Sequence, residues 1–220
     1  MVVAYEQRQY SVPADATEIV LVRHGASAAA IPGERHEMLE GRGNPPLSET
    51  GIEQAEAVGE RLAREPLAAI FTSTLQRTYQ TAAPLARRTG FTPVQVADLA
   101  EVGLGEWDGG EFRIRAREGD ALVMQAMREE RWDVLPGAEP MDAFAERVRR
   151  GIDHIVATVG PGVSVAAFVH GGVIADLCRQ ATRSRPFAFL LNDNTNITRL
   201  VVHGDGSLLL RSFNDIGHLS

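Results

Sequence analysis

Arg23-His24-Gly25 closes the apolar run Ile19-Val20-Leu21-Val22, so a guanidinium fork, an imidazole and a residue without a side chain arrive together at the end of a buried strand. The same punctuation recurs twice. An apolar stretch ending at Phe71 leads into Thr72-Ser73 and then Arg77, and another ending at Val169 leads into His170-Gly171-Gly172. Arginine grips phosphate or carboxylate bidentately, and a neutral histidine is a nucleophile or a base near neutral pH. Two arginines, two histidines, Ser73 and helix N-termini on one edge form an electropositive pocket suited to a dianionic phosphoryl group. Arg77 falls near the first turn of its helix, where a cation opposes the helix dipole, and a bound anion accounts for that placement.

For those ends to meet, their strands must lie parallel in one sheet, whose carboxyl edge is where such sheets bind ligands. The intervening sequence supplies the helices. Thr50-Gly51-Ile52-Glu53 has capping-box spacing, and Ile52, Ala55, Val58, Gly59 and Leu62 share one helical face. A strand over Leu67–Thr72 precedes a helix over about 75–88 that stops at Gly90, with Pro84 expected to kink or shorten it. A third strand is expected over 93–97, and 26–44 reads as a long loop with a short helical turn. Phe144, Val148, Ile152 and Ile155 mark a helix ending near Gly160, before a strand over 163–169 and a helix carrying Val173, Ile174, Leu177 and Ala181. Segments 197–202 and 208–213 close the chain as a hairpin. This alternation predicts a three-layer α/β/α sandwich around a mostly parallel sheet with one antiparallel strand. Residues 18–220 read as a single domain after a flexible arm over 1–17, and 103–140, which break the alternation, read as a small inserted lid.

The 220 residues are 44% hydrophobic, enough for one continuous core. A formal charge of −7 argues against general binding of nucleic acid or anionic membrane surfaces. Cys178 is the single cysteine, which excludes an intrachain disulfide and a cysteine-rich zinc site and makes the reducing cytoplasm the expected setting. No stretch is long and apolar enough for a membrane helix, and the first 18 residues lack the apolar region of a secretory signal.

Leu21-Val22-Arg23-His24-Gly25, Leu47-Ser48-Glu49-Thr50-Gly51 with Gln54-Ala55, Thr72-Ser73-Thr74-Leu75-Gln76-Arg77-Thr78 with Thr81-Ala82, Glu101 before Gly105-Glu106-Trp107-Asp108-Gly109, and Val169-His170-Gly171-Gly172 stand in register along the chain. Together they resemble the ordered motifs of the histidine phosphatase superfamily, which includes cofactor-dependent phosphoglycerate mutases and broad-specificity phosphatases. The resemblance implies a phosphoglycerate mutase-like fold with His24 as the nucleophile that becomes phosphorylated. It implies that Arg23, Arg77 and His170 bind the transferred group, with the N–H of Gly171 as a further donor, and that Glu101 is the proton donor. Ser73 and Asn194 correspond to polar residues at the phosphate site. The implied activity is metal-independent hydrolysis of phosphate monoesters, with no cofactor and with a small phosphorylated metabolite as partner. Neither nucleic acid nor membrane is expected, and a homodimer is left open. The residues agree with these roles on chemical grounds, since Arg23 and Arg77 beside His24 keep its imidazole unprotonated and neutralise charge on the transferred phosphoryl oxygens.

Alternatives remain at particular positions. Glu106 and Asp108 share the loop of Glu101 and compete for the role of acid, Ser73 could serve only as a helix cap, and Asn194 as a turn residue. His36, Arg35, Arg42, Arg113 and Arg115 could meet a second polar group of the substrate or be ordinary solvated side chains. Where mutases carry a glutamate and an asparagine after the histidine, this chain has Ala26-Ser27-Ala28-Ala29-Ala30, and the lid is short. The first departure removes groups that help a mutase hold its substrate, and the short lid favours hydrolysis, because a mutase must keep water from its phosphoenzyme. A catalytically silent phospho-ligand-binding or regulatory module is the reading from another class.

Overall fold

Thr17–Arg23 forms strand β1, and its four aliphatics are fully buried because both faces of the strand are covered. In the computed structural model, which describes residues 6, 7 and 10–220, the chain continues through β2 (Met38–Leu39), β3 (Arg42–Gly43), α1 (Glu49–Leu62), β4 (Leu67–Thr72), α2 (Gln76–Thr89) and β5 (Val94–Gln95). It then forms α3 (Glu111–Glu118), α4 (Ala121–Glu129), α5 (Met141–Val159), β6 (Ser164–Val169), α6 (Gly171–Thr182), β7 (Ile197–Val202) and β8 (Leu208–Asp215). The flexible arm expected over 1–17 falls in part on residues 1–5, 8 and 9, which lie outside the described residues; Tyr10, within it, packs 4.2 Å beneath the guanidinium of Arg211.

Alternation along β1 assigns the layers. Ile19 and Leu21 point into a core built with Phe144, Val148, Ile152 and Ile155 of α5 and with Val173, Ile174 and Leu177 of α6. Val20 and Val22 point the other way, onto Val58 and Leu62 of α1 and Ala82 and Leu85 of α2. The sheet between them runs β5-β4-β6-β1-β7-β8. β1, β4, β5 and β6 are parallel, β7 runs antiparallel to β1, and β8 antiparallel to β7, so β7 is the one strand of opposite direction among these six. That is the expected three-layer α/β/α sandwich. Because β4, β6 and β1 are neighbours, the three strand ends that carry Ser73, His170 and Arg23-His24 lie side by side.

Several local expectations are corrected. The cap of α1 is Ser48, whose hydroxyl accepts from Gly51 N–H at 3.1 Å, two residues ahead of the box read at Thr50. Ile52, assigned to the apolar face, is 56% exposed. Pro84 does not shorten α2, which runs from Gln76 to Thr89 with Pro84 buried against α1. β5 is a two-residue edge strand because Pro93 has no N–H to give and the chain turns into a 3-10 turn at Ala97–Leu99. Residues 26–44 hold the β2–β3 hairpin in place of a helical turn. The segment 103–140 folds as a 3-10 turn, α3 and α4, and packs Trp107, Val123, Ala126 and Trp132 into the main core.

Candidate active site

His24 leaves β1 still tied to the sheet, its N–H donating to Val169 O at 3.0 Å. A carbonyl can only accept, so the 2.7 Å contact between His24 Nδ1 and Gly25 O puts the ring proton on Nδ1 and leaves the Nε2 lone pair free. Burial, then the charges of Arg77 and Arg23, hold this imidazole well below its usual pKa. The glycine beside it answers to the fold: a Cβ at Gly25 would lie 2.5 Å from Gly51 O, so Gly25 lets the start of α1 close on the nucleophile loop.

Three donors surround the ring. Arg23 donates through Nη1 to the carbonyl of Asn192, and Arg77 through Nη1 to Gly43 O at 2.9 Å. His170, at the N-terminus of α6, shares a 2.7 Å hydrogen bond between Nε2 and Ser73 Oγ, and its ring centroid is 5.2 Å from that of His24. Arg23 Nε, Arg77 Nε and His170 Nδ1 are each buried without a protein hydrogen-bond partner. A tetrahedral anion offers acceptors to all three, which would otherwise carry an uncompensated desolvation cost. Gly171 opens α6 beside them, with its Cβ position 3.4 Å from Arg23 Nε. Burial lowers the pKa of Arg77 to about 10.

Glu101 meets the N-terminal turn of α6 and lines the same cavity as His24. Its Oε1 accepts from Val102 N–H at 3.0 Å and its Oε2 from Gly172 N–H at 3.2 Å. A Cβ at Gly172 would come within 2.5 Å of Oε1, so the carboxyl occupies space that only glycine leaves open. Of its competitors, Asp108 accepts from Gly43 and Leu104 N–H with its two oxygens, and burial raises its pKa. Glu106 does not line the cavity into which Glu101 and Asp108 face.

Ser73 and Asn194 are not where phosphate contact was expected. Ser73 is fully buried behind His170, its hydroxyl engaged with His170, Thr78 and the N–H of Leu75. Asn194 Nδ2 donates to the carbonyl of His24 at 2.9 Å. Both hold histidines in position from one layer back. His36 and Arg113 do line the cavity.

Sequence reasoning missed the frame beneath Glu101. Arg147 of α5 donates to the carbonyls of Asp98, Ala100 and Glu101 and pairs with Glu139 at 2.6 Å, while Arg42 also reaches Glu101 O and Glu139. The signal was present, since Arg147 sits three residues after Phe144 on the apolar face of α5, where an ordinary charge does not belong. Arg147→Met is expected to lower unfolding free energy by about 3 kcal/mol, because it takes the side-chain donor from the carbonyls of Asp98 and Ala100 and leaves Glu139 with Arg42 as its remaining cation. Urea denaturation checks this.

Among the described residues no group of three or more His, Cys, Asp or Glu is placed to hold a metal ion, and no helix is long and apolar enough to cross a membrane.

Sheet order and strand-end chemistry together define a class, the enzymes that move phosphoryl groups with histidine. The sequence profile of the histidine phosphatase superfamily (branch 1) matches residues 19–215, and the chain belongs to that superfamily. It is 31% identical over 213 residues to a metal-independent phosphoserine phosphatase of Arabidopsis thaliana, covering 95% of this chain and 86% of that one. It is 32% identical over 206 residues to a bifunctional protein of Mycobacterium tuberculosis, of whose length it spans 55%, with 92% of this chain matched. The native structure of mycobacterial glucosyl-3-phosphoglycerate phosphatase superposes with a TM-score of 0.73 at 28% identity, covering 90% of this chain and 99% of that one.

Proposed function

We propose that the protein is a metal-independent phosphatase that hydrolyses phosphate monoesters through a phosphohistidine on His24. The observation that carries this reading is the pairing of a free, unprotonated Nε2 on His24 with three buried donors that lack partners, Arg23 Nε, Arg77 Nε and His170 Nδ1. Nε2 attacks phosphorus in line with the ester oxygen, a P–N bond forms, and the P–O bond to the alcohol breaks. Arg23, Arg77, His170 and the N–H of Gly171 hold the equatorial oxygens and neutralise the charge that builds there. The Glu101 carboxyl gives its proton to the departing alkoxide. In the second half its carboxylate takes a proton from water, the hydroxide cleaves the P–N bond, and His24 is regenerated as inorganic phosphate leaves. Ser73 fixes the ring of His170 and Asn194 the backbone of His24.

In this reading residues 18–220 are one catalytic domain and 103–140 its lid. The Nη groups of the lid residue Arg113 donate to Ser27 Oγ and Ala28 O, which ties the lid to the alanine run after the nucleophile. The partner is a small phosphorylated metabolite, every acting residue comes from one chain, and the net negative charge and single buried cysteine fit the cytoplasm.

The test is to trap the intermediate. Glu101→Gln mixed with an aryl phosphate, whose leaving group needs no acid, is expected to release one equivalent of phenol rapidly and then stall as a phosphoenzyme. Phosphorus–nitrogen bonds to imidazole are labile in acid and stable in base, so the label should be lost in acid, retained in alkali, and map to His24. A label on another residue, or no burst alongside normal wild-type turnover, would overturn the proposal.

A further inference from the structure

We propose that the alcohol esterified to the phosphate is apolar, so that the preferred substrates are phosphate monoesters of uncharged aliphatic or aromatic alcohols. The proposal rests on the phosphatase reading and specifies what that site accepts. The phosphate cluster forms one end of a cavity of about 590 Å³, within the range of small-molecule sites. The acid must reach the leaving oxygen, so the body of the alcohol extends from the phosphate past Glu101. The chain just beyond Glu101 lines the cavity with Val102, Leu104 and Trp107, and α4 and the turn after it add Val123, Met127 and Trp132. Trp132 is held by Phe187 at 4.6 Å and Phe112 at 5.6 Å between ring centroids, and Arg115 lies 4.6 Å over Trp107, so the wall is fixed.

The polar side chains of the same cavity are largely occupied. Arg42 serves Glu101 O and Glu139, Asp108 serves two backbone amides, and Arg113 serves Ser27 and Ala28. His36 Nε2 is the exception, buried without a partner. A zwitterionic alcohol such as serine needs counter-charges for both an ammonium and a carboxylate. Among the described residues, the one carboxylate lining the cavity besides the acid Glu101 is Asp108, and it is already engaged. Such a substrate would be desolvated against an apolar wall at a cost, whereas each methylene placed there gains about fourfold in binding.

The test uses the full chain and a series of primary alkyl phosphates from ethyl to hexyl, whose leaving alcohols are of similar acidity, beside phosphoserine and glycerol 1-phosphate. kcat/KM is expected to climb about fourfold per methylene until the wall is covered, with phosphoserine at least about tenfold below butyl phosphate. Met127→Glu, on a partly exposed position of α4, should reduce the ratio of hexyl to ethyl phosphate turnover at least about tenfold. If that variant does not fold, the wild-type series decides alone. A flat or falling series, or a preference for phosphoserine, overturns the apolar-alcohol proposal and leaves the phosphatase reading standing. Hydrolysis of none of these esters, nor of an aryl phosphate, removes the phosphatase reading and this proposal with it.

Discussion

His24→Ala is expected to lower kcat on an aryl phosphate by at least about ten thousandfold while leaving the protein folded. The size follows from the role: without Nε2 there is no covalent intermediate, and the remaining groups can only bind the ester and stabilise charge. Folding should survive because the ring makes one side-chain hydrogen bond, to the carbonyl of its own neighbour Gly25, and is buried between cations that disfavour its charged form. The checks are steady-state kinetics with a thermal melt, and inhibition by vanadate, whose affinity for the variant reports whether the phosphate pocket persists. Activity within about tenfold of wild type would mean that water attacks the ester directly, with Glu101 as base, and the phosphohistidine scheme would fall. Wild-type protein that binds vanadate but turns over no ester would point to the silent binding module.

Much of this site is legible in the sequence because a strand buried on both faces announces itself and its last residues have nowhere to go but the sheet edge. Arg23-His24, Ser73 and His170 could be assigned to that edge from hydrophobic runs alone, and the neighbour relation β4-β6-β1 then brings them together. Depth along the edge is another matter. Ser73 and His170 end adjacent strands in the same manner, yet one hydroxyl lies behind the other ring, and no one-dimensional pattern encodes which is in front. Long-range ties were equally hidden. Arg147 reaches across 46 residues to Glu101 O, and only its misplaced charge on an apolar helix face hints at it. Gly25 and Gly172 show the same limit from the other side: their neighbours Gly51 and Glu101 decide what the missing side chain is for, and both are remote in sequence. Within 103–140, apolar residues face both the main core and the cavity, a division that their spacing does not encode. Trp107 and Trp132 are nearly fully buried and still line the pocket.

Arg77→Met should have the second largest effect, a loss of about a thousandfold in kcat/KM accompanied by an upward shift of the acid limb of the pH profile. The rate loss comes from removing a buried guanidinium that meets the transferred oxygens. The pH shift has a separate cause. After burial itself, the charge of Arg77 is the strongest influence lowering the pKa of His24, and likewise that of His170. In the wild type His24 is therefore neutral and nucleophilic well into the acid range, so its protonation should not limit kcat/KM until well below the ordinary imidazole pKa. Without Arg77 that pKa rises, the neutral fraction at mildly acidic pH shrinks, and the limb moves toward neutrality. Ionisation of the substrate phosphate contributes equally in both proteins and cancels when profiles from about pH 5 to pH 8 are compared on one substrate. Arg77→Lys separates the two causes, since it keeps the charge and loses the bidentate fork; it should lose much of the rate with little movement of the limb. Stability should move the other way from activity. Burial presses the pKa of Arg77 down to about 10, the mark of a cation held where desolvation opposes it, and its position in the first turn of α2 opposes the helix dipole. Arg77→Met should melt at or above the wild-type temperature in the absence of phosphate, and should gain less than wild type when phosphate is added. A variant that lost stability along with activity, with its pH limb unmoved, would make Arg77 a structural residue and leave Arg23 and His170 to hold the phosphoryl group.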